Sequence, residues 1–186
     1  PLRLSGSRPQ LLEVLREVYM TNSQLVKLNQ QQTEKGLPTY PNTRNLTAGT
    51  IRVKDPKECA SRGLRMFVHG IGASEGLDVA THMEFLAKLA EWGLAATPHV
   101  RLLPNMEAVI EHCQTLIGEL HELDFEVEGL VIKVNRFDQR AKLGSTSKSP
   151  RWLVAYKFEK YEGVTRVNDI LVNVGKTCAV TPVAIL

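Results

Sequence analysis

The chain has 186 residues, 43% of them apolar and 23% charged, with a formal net charge of +3 and a pI near 8.9. That is the composition of an ordinary soluble globular protein, long enough to bury a core in one domain plus a fragment. No apolar run approaches the length needed to cross a bilayer, which excludes a membrane protein, and Pro1-Leu2-Arg3-Leu4-Ser5 contains no signal-peptide core.

In chain order, Leu11 to Met20 is rich in aliphatics and predicts a strand. Thr21-Asn22-Ser23 offers helix caps before a helical run that ends at Gly36. Pro38 to Gly49 reads as a loop around Asn42-Thr43-Arg44-Asn45, and Asp55-Pro56 has the cap-then-proline form of a short helix start. Arg65 to Gly70 predicts a strand ending in a glycine-rich turn. Thr81 to Trp92 is an amphipathic helix with Met83, Leu86, Leu89 and Ala90 on one face, ended by Gly93. Asn105 to Leu120 repeats the pattern with Met106, Val109, Ile110, Cys113, Leu116 and Ile117. Phe125 to Val134, Trp152 to Phe158 and Val164 to Val174 predict strands.

Strands and helices mixed without a βαβ rhythm predict an α+β fold with mainly antiparallel sheets flanked by helices. The dinucleotide Gly-x-Gly-x-x-Gly fingerprint and the Walker phosphate loop are both absent. Cys59, Cys113 and Cys178 are too far apart for a zinc ribbon or a disulfide framework, which suits a reducing compartment. His69, His82, His99, His112 and His121 show no metal-ligand spacing, and no metal site is expected. The mild basicity suits a phosphate or nucleic-acid ligand without singling one out. Pro1 and the abrupt end at Ala184-Ile185-Leu186 read as cuts.

Strand alternation places Leu130, Ile132 and Val134 on one face, with Val131 and Lys133 on the other. In the next strand Trp152, Val154, Tyr156 and Phe158 form the expected core face, opposite Leu153, Ala155 and Lys157. Each strand thus offers one lysine that could bind phosphate as a point charge. A solvated strand surface is the ordinary setting of a lysine, and the pattern alone leaves both readings open.

Several segments together resemble, in one order over nearly the whole chain, the motifs of NAD-dependent DNA ligases. They are Glu17-Val18-Tyr19-Met20, Asn42-Thr43-Arg44-Asn45 with Ala48 to Arg52, and Phe67-Val68-His69-Gly70-Ile71-Gly72. Later come Glu128-Gly129-Leu130-Val131-Ile132-Lys133-Val134-Asn135, Leu143 to Trp152, Ala155-Tyr156-Lys157-Phe158, and Val174-Gly175-Lys176-Thr177 with Thr181 to Ala184. The resemblance implies the ligase/nucleotidyltransferase-like fold, with residues 1–161 as the C-terminal part of the adenylation domain. Residues 162–186 would then be the start of an OB-fold, represented by its first strand and turn. It also implies NAD as AMP donor, magnesium, nicked double-stranded DNA as partner, no membrane, a monomer, and the bacterial cytoplasm.

In that family a lysine takes AMP from NAD, and the AMP passes to the 5′-phosphate of a nick that the 3′-hydroxyl then seals. Such in-line transfers depend on positioning and on cations that neutralise phosphate oxygens. By resemblance Glu17 binds the ribose hydroxyls, the alternative being an exposed strand-end carboxylate. Arg44 and Arg52 serve phosphate and DNA, with surface charge as their alternative. His69 stacks on adenine, or is a satisfied buried histidine. Val131 and Ile132 line the adenine pocket or the core. Glu128 belongs to the cofactor site, and Lys133 and Lys157 contact the AMP phosphate as the catalytic pair.

The sequence departs from the pattern in places. It has no Lys-x-Asp-Gly motif for the nucleophile, and Lys54-Asp55-Pro56 does not fit one. The nicotinamide-mononucleotide domain, the zinc finger (and with it any zinc), the helix-hairpin-helix array and the BRCT domain are absent, so the fragment is expected to be inactive alone. Glu128 stands for aspartate, Leu120 for arginine, Arg16 for glycine, Thr43 for proline and Cys178 for glycine. With Glu128 and Lys133 on opposite faces of an ideal strand, Gly129 would mark a bend or bulge if both served one pocket. Two alternatives stand beside the ligase reading. One is a catalytically degenerate ligase-like module that only binds nucleotide or DNA; the other is an ATP-using nucleotidyltransferase.

Overall fold

The computed structural model describes residues 3–157 and 164–186. Strand β1, Leu11–Tyr19, pairs antiparallel with β2, Arg65–Glu75. Between them run α1, Asn22–Glu34, α2, Thr43–Ile51, and α3, Pro56–Ser61. After β2 come α4, His82–Glu91, α5, Met106–Glu119, and a single 3-10 turn at Leu120–Glu122. Strand β3, Gly129–Lys133, is hydrogen-bonded to β4, Leu153–Lys157, with α6, Phe137–Leu143, between them in sequence. Strands β5, Asp169–Val174, and β6, Val180–Ile185, form an antiparallel hairpin. The fold is α+β, as expected.

The helices begin where their caps say they should. Thr21 accepts from the Gln24 amide, Asp55 from Lys57 and Asn105 from Ala108, while Thr81 and Glu84 form a reciprocal capping box. The segment expected to be a loop around Asn42 is instead α2: the Asn42 side chain caps the Asn45 amide and the helix continues through Gly49. Its inward face is made of Thr43, Leu46, Thr47 and Thr50, β-branched and polar residues that carry little helical signal. Thr43 sits at N1, a position where proline is at home, which accounts for that exchange within the family pattern.

The core gathers between β2 and α4: Val68, Phe85, Leu86, Leu89 and Trp92 are buried together, with Leu12, Val14, Ile71 and Phe137 packed around them. Phe85 rather than Ala90 completes the inward face of α4; Ala90 is exposed. Helix α5 has no buried residue, and Met106 and Ile110 are exposed, so its apolar spacing does not mark a core face here. The N-terminal segment is tied to the end of α4, where the Ser5 amide donates to the Trp92 carbonyl and the indole N–H of Trp92 donates to the Ser7 carbonyl.

Strand β2 does not end at its glycines. Gly70 and Gly72 lie inside it because side chains of β1 lie over them, Leu15 above the first and Glu13 above the second, where a Cβ would collide with the carboxylate. The pairing register slips twice, once where Glu13 accepts from the Ala73 amide and once at His69, which is the extra residue between Val68 and Gly70. Bulges of this kind re-aim a side chain and release a backbone group from the ladder.

The expected strand from Phe125 starts only at Gly129. Asp124 is drawn off to α1, accepting from the Ser23 amide at 2.8 Å, and the Phe125 ring packs on Tyr19 and Phe67 at 5.3 and 5.5 Å. In β4 the expected core face is uneven among the described residues: Trp152 is half-buried, whereas Val154 is 61% and Tyr156 47% exposed. Phe158 lies outside the described residues. The strand expected from Val164 begins at Asp169, and the sequence reading missed both β6 and α6. Pro182, within β6, argues against a strand in sequence, yet it pairs with Val172 in a ladder that has no further strand.

By contacts the chain divides into Pro1–Tyr156 and Lys157–Leu186. Both strands of the second unit are exposed along their whole length.

Candidate functional site

Lys133 closes β3, and its ammonium donates to the backbone carbonyl of His69 at 2.7 Å. That carbonyl belongs to the bulged residue of β2. The lysine is half-buried, not on a solvated strand surface, and burial, then the charge of Arg140, hold its ammonium below the usual lysine range. Val131, two residues earlier, is exposed, and Ile132 is half-buried.

His69 is half-buried beside the lysine. Burial and the charge of Lys133 lower its pKa, while Glu17 pulls the other way, so the ring is neutral at pH 7. Glu17, exposed on β1, pairs in register with Phe67, two residues before His69. Three residues singled out by the sequence are thus neighbours.

A second pair forms between distant segments. Arg44, in the first turn of α2, donates through Nη1 to Oε1 of Glu128 at 2.8 Å. Glu128 precedes β3 in irregular backbone, so strand alternation does not apply to it and the expected bend at Gly129 is the strand start itself. Arg52 is the exposed C-cap of α2, eight residues from Arg44, and Lys157 is the exposed last residue of β4. Among the described residues Arg52 makes no hydrogen bond or ion pair with the lysine–histidine cluster. Leu120 caps the end of α5.

Two residues near Lys133 were not singled out. His82, 6% exposed at N1 of α4, donates its backbone N–H to the Asn135 carbonyl, and its Nδ1 is buried with no hydrogen-bond partner among the described residues. Burial, then Lys133, Arg140 and His69, lower its pKa to about 4. Arg140, 8% exposed on α6, donates through Nε to the Val134 carbonyl at 2.6 Å and lies 4.3 Å over the Trp152 ring. The signal for His82 was present: it shares the spacing of Phe85, Leu86 and Leu89. For Arg140 there was none. Among the described residues no group of three His, Cys, Asp or Glu is arranged to hold a metal ion, and no helix is long and apolar enough to cross a membrane.

The scaffold is α+β, with a half-buried lysine held against a bulged strand. The family model of the NAD-dependent DNA ligase adenylation domain matches residues 1–161, and the chain belongs to that family. A DNA ligase of Rhodopirellula baltica is 48% identical over 181 residues, 97% of this chain and 26% of the relative. DNA ligases of Desulforudis audaxviator and Thermobifida fusca are 41% and 40% identical over the whole chain, and 28% and 25% of their own lengths are covered. The chain therefore spans about a quarter of the curated relatives it matches.

Proposed function

We propose that the protein carrying this chain is an NAD-dependent DNA ligase that seals 5′-phosphate/3′-hydroxyl nicks in duplex DNA. A lysine amine displaces nicotinamide mononucleotide from the adenylyl phosphorus of NAD. The AMP then passes to the 5′-phosphate of the nick, and the 3′-hydroxyl displaces it. The observation that carries this reading is Lys133, a half-buried ammonium held at the bulged carbonyl of His69. A phosphate oxygen meeting that ammonium is neutralised more strongly than it would be in water, because the site is partly desolvated.

The neighbours take roles that suit their chemistry. Neutral His69 stacks on the adenine, with Val131 and Ile132 as apolar walls, and Glu17 accepts hydrogen bonds from the ribose hydroxyls. Arg44 and Arg52 bind phosphate or the DNA strand, Glu128 orients Arg44, and Lys157 is the second phosphate cation. Magnesium is implied by the family, as an ion held mainly by phosphates and water. Residues 162–186 are read as the start of the OB-fold domain. The nucleophilic lysine is not in this chain, so the chain by itself neither takes AMP nor seals DNA. The protein acts as a monomer in the bacterial cytoplasm.

Intact-mass analysis of the complete protein after incubation with NAD and magnesium tests this reading. A covalent AMP adduct from NAD and not from ATP is expected, and Lys133→Ala should slow its formation on the order of 10²–10³-fold. An adduct from ATP alone would point to an ATP-using nucleotidyltransferase. No adduct from a folded protein would leave a binding module.

A further inference from the structure

We infer that Arg140 is a positioning residue for Lys133, one that anchors the backbone following the lysine and keeps a second, permanent positive charge beside it. The inference rests on the reading of Lys133 as the phosphate-binding lysine. Val134, the next residue, is held on both sides: its N–H donates to the Trp152 carbonyl at 2.9 Å, and its carbonyl accepts from Arg140 Nε at 2.6 Å. The guanidinium in turn lies 4.3 Å over the Trp152 ring and 5.0 Å over the Phe137 ring. Lys133, Val134, Trp152 and Arg140 are thus one connected unit.

A purely structural lock would not need the charge. Arg140 is buried, takes part in no ion pair among the described residues, and leaves Nη2 without a hydrogen-bond partner there. A buried, unpaired cation is costly, and a well-packed apolar side chain of similar volume is often as stable or more so. The guanidinium supplies what such a side chain could not, a fixed charge next to the lysine. Around Lys133 stand His69 on β2, His82 on α4 and Arg140 on α6, with the Glu17 carboxylate of β1 acting on His69. Arg140 is the one whose charge does not change over the working pH range. An anionic phosphate arriving there meets two cations, and its binding offsets the cost of holding them together.

The test is an NMR titration of the Lys133 ammonium in the complete protein, labelled at lysine and assigned with Lys133→Arg. Arg140→Met and Arg140→Gln remove the charge; Arg140→Lys keeps it. In the two neutral variants the Lys133 midpoint should move to higher pH, and in Arg140→Lys it should stay near wild type. The alkaline limb of AMP transfer from NAD should move with it, and at neutral pH the neutral variants should be roughly tenfold to a hundredfold slower from misplacement. A Lys133 midpoint unchanged in folded Arg140→Met or Arg140→Gln would overturn the inference. So would an Arg140→Lys midpoint that moves as far as theirs. The titration is read without turnover, so a wild-type protein that takes no AMP would sink the ligase reading and leave this test in force.

Discussion

His82 is a buried imidazole with three positive or ionisable neighbours, Lys133, Arg140 and His69, and no acid among the groups that shift it. Its pKa falls from 6.5 to about 4 in the folded protein. Above pH 6.5 the ring is neutral in both folded and unfolded chains, and its contribution to stability is fully present. Between 6.5 and about 4 the unfolded chain takes up a proton that the folded one refuses, so stability is lost as the pH falls through that window. The loss is at most roughly 3 kcal/mol. Chemical denaturation at several pH values should show it, and His82→Phe, which removes the titration beside Phe85, should flatten the slope between pH 6.5 and 4. Equal slopes in the two proteins would refute this. At this scale the sequence singled out Lys133, His69 and Glu17, which the fold makes neighbours. It was silent on Arg140, because a short helix with arginine inside looks solvated until the ring of Trp152, twelve residues later, is seen beneath it. Strand alternation separated Lys133 from Leu130 and Ile132 by face, yet it could not say how deep the lysine lies: all three are half-buried. Depth depends on β2, which is remote in sequence.

Among the elements, the turn between β5 and β6 carries a visible strain. Cys178 has φ +59°, inside a turn closed by the Gly175 amide to the Ala179 carbonyl at 2.9 Å and the Cys178 amide to the Gly175 carbonyl at 3.0 Å. The family pattern has glycine there, the residue that adopts this backbone freely. A side chain in the left-handed region costs about 1 kcal/mol. Cys178→Gly should therefore protect the amides of the β5–β6 hairpin from hydrogen exchange by that margin, roughly fivefold. Unchanged or weaker protection would count against a strained turn. The helices legible in sequence were those with a side-chain cap and a clean apolar spacing, α1, α3 and α4. Those misread were α2, whose buried face is threonine, and α6, which is seven residues long and has no side-chain cap. Strand β2 was read too short because its glycines were taken for a turn, when they make room for Leu15 and Glu13 of the facing strand.

Over the whole molecule, the first unit depends on one small cluster centred on Phe85, which is fully buried between α4 and β2. Phe85→Ala removes the largest fully buried side chain of that cluster and should cost about 3–5 kcal/mol. A urea titration that finds less than about 1 kcal/mol would show that the core lies elsewhere. The α+β class was legible because strand and helix periods are written locally; which apolar faces are covered was not. Met106, Ile110, Val154 and Tyr156 read as core by spacing and are exposed, since coverage depends on what packs opposite and not on the segment itself.

The tie between the N-terminal segment and Trp92 has an optical consequence. The indole sits in the cluster with its N–H on the Ser7 carbonyl, so dissolved quenchers cannot reach it while that segment is seated. With Trp152 replaced by phenylalanine, its fluorescence therefore records, in real time and without a label, whether residues 5–7 are docked on the end of α4.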